Sequence, residues 1–453
     1  MAWIGKKRLA LVPLFRTNAH PPDQVPADWE DQILRRMLFD PVPGTSMDRS
    51  LRAYIHAASS GQADLDAVVM PRMSVDQQDV PVGFLEPQIG AQLRAQGFDA
   101  AAIVMLGGPG AGTAEASGFW ARFVMVEGVG VWAMEFMHVL TGFGDLYPFN
   151  GNMSRFDEMA CSCGSHPSAY TKAAIGWLDW HAVAQHTVHM ANYDLHSVGL
   201  VQPPPTGRVA AVRIGSLSPY LMVEARQRVD QFDSTISSEG VIVYRVQTTN
   251  PLGWPQNAAP VVLLTPTALM PGETFNSNTG IQVHVTRALS GGFSVSITDP
   301  TDAAIYTIQQ KSNGRFVDAH EIEGKDFGMV TRPAQNNDTQ RWIIMPLGNN
   351  TYTMQQKSNA RFVDAHEIQQ KDFAVVTRPQ QQNNTQRWVL NPLGNDEYTI
   401  KQLSSGRFLD AHEIEPKDFA IVTRPAQNND TQRWVIKHAK LPGIVVSDVN
   451  LPG

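Results

Sequence analysis

Three aspartates recur in this chain at a fixed interval of 46 residues, Asp318, Asp364 and Asp410, each inside the same short string. Arg315-Phe316-Val317-Asp318-Ala319-His320-Glu321-Ile322 returns at 361–368, and again at 407–414 with Leu409 in place of valine. A matching amide and indole follow each copy: Thr339-Gln340-Arg341-Trp342, Thr385-Gln386-Arg387-Trp388 and Thr431-Gln432-Arg433-Trp434. An ionised carboxylate accepts hydrogen bonds, and an amide both donates and accepts, so every copy carries the parts of a polar recognition site. Whatever one copy binds, the chain can bind up to three times. A second constellation, Met134-Glu135-Phe136-Met137-His138, places Glu and His on one helical face. A zinc-hydrolase helix needs His at i and i+4 with a Glu general base between them, and here Met134 stands at the first His position.

These residues need elements to position them. A repeat of this period cannot bury its own apolar face, so neighbouring copies must complete the core. Each copy offers four short strands, seen first at Tyr306–Gln309, Phe316–Asp318, Val330–Thr331 and Arg341–Ile344. Three copies give twelve strands, the number in a β-trefoil: a six-stranded barrel capped by three hairpins. This predicts a trefoil over 303–438 and a tail over 439–453. Upstream, Pro203-Pro204-Pro205 marks a boundary. Residues 1–202 read as α/β, with buried strands at Leu9–Phe15 and Ala101–Leu106 and helices at Trp29–Leu38, Met47–Ala58 and Val129–Leu140. Residues 206–300 read as short strands of a β-sandwich, from Val209–Ile214 to Phe293–Ile297. The predicted fold class is therefore a multidomain α/β plus all-β chain.

The threefold Gln-x-Trp pattern resembles the ricin B-type lectins. That resemblance implies carbohydrate binding with glycans or glycoproteins as partners, and an extracellular setting. The carried-over site residues are Asp318, Asp364 and Asp410, then Asp338, Asn384 and Asp430 just before the Gln-x-Trp, and Gln340, Gln386 and Gln432 themselves. Phe327, Phe373 and Phe419 would supply the aromatic platform for a sugar face. The run from Glu135 through His138, Gly142 and Asp145-Leu146-Tyr147, with Phe156-Asp157-Glu158-Met159-Ala160 as a Met-turn, resembles the immune inhibitor A-type metallopeptidases. It implies a zincin-like domain in which Glu135 is catalytic and His138 and Asp145 hold zinc. Met134 leaves that set one ligand short of the three a catalytic zinc needs. Cys161, Cys163 or His166 could supply a replacement if the Met-turn folds under the helix.

Several classes are excluded or left without support. Net charge is −7 and the pI about 6.0, with Lys and Arg scattered, so nucleic acid is not an expected partner. No apolar run approaches a membrane span. Lys6 to Phe15 lacks a cleavage signature and reads as a buried strand rather than a signal segment. The two cysteines, in Cys161-Ser162-Cys163, are too close in sequence for an expected disulfide. Gly107 to Thr113 lacks the lysine of a phosphate loop and reads as a turn beside the Glu135 helix. Two functions follow: a lectin attached to an inactive peptidase-like domain, or a secreted zinc endopeptidase targeted to glycans. A trefoil that docks to a partner protein is a third.

Overall fold

The computed structural model describes residues 2–20, 23–108, 110, 112–115, 118–147, 153–247, 260–299, 305–348 and 350–439, so the expected tail lies outside them from 440 onward. Strands β1 (Gly5–Arg16), β2 (Ala63–Val69), β3 (Met73–Val75), β4 (Ala100–Met105), β5 (Thr113–Ala114) and β6 (Trp120–Val124) form one sheet, ordered β2-β1-β4-β6-β5 with β3 beside β1. All pairs are parallel except β5, which runs antiparallel along the edge. Such a sheet is covered on both faces, which is why β1 is apolar without a break from Leu9 to Phe15. Leu9 and Leu11 enter one core, and Ala10, Val12 and Leu14 the other.

Helices α1 (Trp29–Leu38), α2 (Leu51–Ala58), α3 (Ala91–Ala95), α4 (Val129–Thr141), α5 (Glu158–Cys161) and α6 (Ala169–Ala174) complete this layer. Helix α2 begins later than the Met47 expected, because Ser50 caps it, its hydroxyl accepting the Ala53 N–H at 3.2 Å. Helix α4 runs through the core and stops at Gly142, whose left-handed φ of 76° lets its N–H return to the His138 carbonyl.

Strands β7 (Val183–His186), β8 (Met190–His196), β9 (Ala211–Ile214), β10 (Tyr220–Arg226), β11 (Gly240–Val246), β12 (Val261–Leu263), β13 (Thr274–Asn276), β14 (Gln282–Leu289) and β15 (Gly292–Thr298) form two sheets, β12-β11-β10-β9-β7 and β13-β14-β15-β8. Val212, Val223, Val243, Val283 and Val295 fill the core they share. The expected break at 202 is corrected. β7 pairs with β9 and β8 with β15, so strands before the triple proline belong to sheets formed mostly after it. His186 ends β7 and His189 lies in the turn before β8. Their rings bond the Tyr193 hydroxyl and the Asp299 carbonyl.

The repeats supply β16 (Ile305–Gln310), β17 (Phe316–Ala319), β18 (Met329–Arg332), β19 (Trp342–Gly348), β20 (Thr351–Gln356), β21 (Phe362–Ala365), β22 (Val375–Arg378), β23 (Trp388–Gly394), β24 (Glu397–Gln402), β25 (Phe408–Ala411), β26 (Ile421–Arg424) and β27 (Trp434–His438). Pairing runs β16-β19-β20-β23-β24-β27 and returns from β27 to β16, closing a six-stranded barrel. Hairpins β17–β18, β21–β22 and β25–β26 cap one end and meet one another through bridges such as Gly328 to Val376 and Ala374 to Val422. The barrel is filled by Trp342, Trp388 and Trp434, all fully buried, each indole N–H donating to a backbone carbonyl in its own repeat at 3.0–3.1 Å.

Two polar anchors join the layers. The Tyr306 hydroxyl accepts the Ser216 and Leu217 N–H groups, tying the barrel to the turn before β10. Arg226, buried completely, pairs with Asp233 at 2.9 Å and Glu224 at 3.4 Å and donates to the carbonyls of Phe156 and His166. A buried guanidinium needs such partners, and here both terminal nitrogens have them while Nε does not.

Candidate functional sites

The zinc-helix residues come together, but not as a zinc site. Helix α4 carries Glu135 and His138 to a cavity of ≈ 260 Å³, also lined by Gly112, Thr113, Ala114, Gly144, Asp145 and Tyr147. The Gly142 turn brings Asp145 back so that its Oδ1 lies 2.9 Å from His138 Nε2. His138 Nδ1 donates to the Phe143 carbonyl at 2.6 Å, since a carbonyl can only accept. Burial is the largest influence on His138 and disfavours its charge, but the Asp145 hydrogen bond, the charges of Asp145 and Glu135 and the Phe143 carbonyl together outweigh it and raise the imidazole pKa. Burial also pushes Glu135 up to about 7, with His138 opposing the rise and Asp145 adding to it.

The donor set does not fit catalytic zinc. Met134 is packed into the apolar core, 3% exposed, with a neutral thioether where an imidazole is needed. The proposed replacements are engaged elsewhere: His166 Nε2 bonds Asp230 at 2.7 Å, and Cys161 is bonded to Cys163. That disulfide corrects the expectation that residues two apart would stay unpaired. Among the described residues the one group of three or more clustered metal-ligand atoms is Glu158, Cys161 and Cys163, and it does not include His138 or Asp145. Met159 does sit beneath the helix, its carbonyl accepting the Leu146 N–H. Sequence reasoning missed Gly112 as a wall of the cavity. A Cβ there would lie 2.2 Å from Glu135 Oε1 and displace the carboxylate, but the glycine-rich loop gave no sign of which glycine faces the helix.

In the trefoil the structure brings the carried-over Asp and Gln of every repeat into contact. Gln340 Nε2 donates to Asp318 Oδ2 at 3.2 Å, Gln386 to Asp364 at 3.2 Å and Gln432 to Asp410 at 3.1 Å. The other carboxylate oxygen accepts the next residue's N–H at 2.8 Å in all three repeats. An ionised carboxylate has about four acceptor positions, and two are occupied here. The aspartates keep 6–7% of their surface exposed.

The glutamines have less to spare. Gln386 also donates to the Pro379 carbonyl at 2.9 Å and accepts the Gln381 N–H at 2.7 Å, and Gln340 and Gln432 repeat this set. With both amide hydrogens used, the glutamines orient the aspartates and have no donor left for a ligand. Asp338, Asn384 and Asp430 open the short 3₁₀ turns before β19, β23 and β27. They bond Arg341, Arg387 and Arg433 of the same turns.

The phenylalanines are a correction. Phe327 lies under the Arg361 guanidinium at 3.7 Å, Phe373 under Arg407 at 3.8 Å and Phe419 under Arg315 at 3.7 Å. Each ring thus stacks on the arginine of another repeat, in a left-handed backbone turn with φ of 51–54°. The preceding aspartates extend the same junctions. Asp326 accepts from Arg378 at 2.7 Å, His366 at 2.8 Å and Lys371 at 3.1 Å. Asp372 faces His412 and Arg424, and Asp418 faces His320 and Arg332, closing the circle. Spacing alone could not separate a platform residue from one that locks neighbouring repeats.

The model of the ricin-type beta-trefoil lectin domain-like family matches residues 293–377 and 384–447. The C-terminal third of the chain is therefore a ricin B-type β-trefoil lectin domain. Solved structures similar to it include the designed threefold-symmetric protein ThreeFoil, at 19% identity over 30% of this chain and 99% of that one, TM-score 0.28. Another is the Polyporus squamosus lectin bound to a human-type influenza-binding epitope, at 20% identity, 30% of this chain and 49% of that one, TM-score 0.27. A third is SeviL bound to asialo-GM1 saccharide, at 16% identity, 30% and 98%, TM-score 0.25. No curated protein matches the chain.

Proposed function

We propose that this protein is a multivalent carbohydrate-binding protein whose trefoil takes up glycans through Asp318, Asp364 and Asp410. The observation that carries the reading is the threefold recurrence of one oriented, partly unfilled carboxylate, on a domain of lectin type. Two adjacent hydroxyls of a hexose can donate to one carboxylate. Asp338, Asn384 and Asp430 are the remaining polar candidates for the rim of each pocket. Three weak pockets on one rigid barrel gain avidity on glycans or glycoproteins without any further contact.

We read the layer built from β1 to β6 and α1 to α6 as a peptidase-like scaffold that has lost its metal chemistry. Support comes from α4, which carries Glu135 and His138 beneath an antiparallel edge strand, and from Met134 at the position of the first ligand. The rival reading, an active zinc endopeptidase, lacks a third donor.

A glycan array separates these readings. Wild-type protein should bind a defined set of glycans, and the variant carrying Asp318→Asn, Asp364→Asn and Asp410→Asn together should not. Undiminished binding by the triple variant refutes the pockets. Zinc near one per chain in the disulfide-intact protein, with casein cleavage lost on Glu135→Ala, would restore the enzyme.

A further inference from the structure

Helix α5 and the loop after it gather three metal-ligand side chains away from the His138 cavity. The ligand atoms of Glu158, Cys161 and Cys163 lie within 4.8 Å of one another. Glu158 is wholly buried. Its Oε2 accepts the Gly164 N–H at 2.7 Å and the Cys163 and Ser165 N–H groups also face the carboxylate, while its Oε1 makes no hydrogen bond of normal geometry. A buried carboxylate left unpaired is costly, and either a proton or a cation satisfies it. Ser165 Oγ stands 3.6 Å from both sulfurs, and the two cysteines are only half-buried, which leaves a route in from solvent. The loop is held against helix α4 at Gly130, where a Cβ would fall 2.3 Å from the Ser162 carbonyl oxygen.

We propose that Glu158, Cys161 and Cys163 form a redox-gated site for zinc or a similar thiophilic divalent cation, closed while the disulfide stands and opened by its reduction. The chemistry balances with an external dithiol as the reductant. The dithiol gives two electrons and two protons, becomes a cyclic disulfide, and the Cys161–Cys163 bond becomes two thiols. Zinc then displaces the two thiol protons and the proton that burial favours on Glu158, which binds as carboxylate, giving two sulfur donors and one oxygen. Ser165 or a water fills the fourth position of a tetrahedral set. Thiolates select such cations over magnesium or calcium. The ligands sit on one short helix and its following loop, so the site needs no rearrangement of the fold.

The test uses the full chain, reduced with dithiothreitol, desalted without oxygen, incubated with one equivalent of zinc and desalted again. Metal content should be near one zinc per chain after reduction and near zero for the oxidised protein. Cys161→Ser with Cys163→Ser should abolish retention, His138→Ala should leave it intact, and Glu158→Gln should weaken it by roughly tenfold or more. Because Glu158→Gln could disturb folding, zinc protection of the two thiols from alkylation in the wild-type protein provides an independent readout. Cobalt in place of zinc should show a thiolate charge-transfer band. No zinc in the reduced protein, equal zinc in the double cysteine variant, unprotected thiols, or unfolding on reduction would each overturn the proposal.

Discussion

Replacing Gln386 with alanine should loosen one lobe of the trefoil while leaving the other two in place. The side chain is 1% exposed and makes three hydrogen bonds: from the Gln381 N–H, to the Pro379 carbonyl and to Asp364 Oδ2. Two neutral bonds are worth about 1 kcal/mol each, and the bond to a carboxylate up to about twice that. Asp364 keeps a little solvent contact, so water recovers part of the last one. The expected loss is about 3 kcal/mol, or roughly a hundredfold in the opening equilibrium. Hydrogen exchange on the full-length protein reads this directly, as faster exchange confined to β21, β22 and β23. Gln386→Glu sharpens the test, since it keeps the size and the acceptor but sets a second carboxylate against Asp364. At neutral pH it should be at least as destabilising as alanine, and it should recover as the pair is protonated. A loss under about 1 kcal/mol for both variants would refute the view that this glutamine organises the pocket.

Phe327→Leu should cost the junction between the first two repeats about 1–2 kcal/mol by exchange, yet leave glycan affinity unchanged, because the ring stacks on Arg361. A sugar-stacking ring would instead lose affinity. Burial tends to raise the Asp326 pKa, but hydrogen bonds from His366, Lys371 and Arg378 hold it down to about 2. The folded pKa lies below the ordinary value, so this stabilisation is present above about pH 4 and lost as pH falls toward 2. With these aspartates half-exposed, the loss over the three junctions should be on the order of 1–3 kcal/mol in an acid titration of trefoil stability. Flat stability from pH 5 to 2 would contradict it. Arg226→Met leaves Asp233 and Glu224 buried without their cation and should destabilise the contact between sandwich and first layer by about 3–5 kcal/mol, seen as a lowered Tm.

Much of this was legible in the sequence because repetition and periodicity are local signals. The 46-residue interval led to the trefoil, the apolar run at Leu9–Phe15 to a buried strand, and Trp29–Leu38 to a helix with the boundaries observed. What stayed hidden depends on which residues meet across the fold. Phe327 and Arg361 are neighbours only once the barrel closes. β7 and β8 precede a triple proline, but strand pairing reaches across it. Helical spacing put Met134 on the face of His138, but only the packed core shows that its thioether is sealed away from the cavity.

The most direct test of the central claim is the stoichiometry of monosaccharide binding, measured by calorimetry on the wild type and on Asp→Asn variants of the three repeats. Equivalent pockets predict three sites in the wild type, two after Asp318→Asn, one after adding Asp364→Asn and none after adding Asp410→Asn. A stoichiometry that stays constant through the series would show that sugar is held somewhere other than these carboxylates.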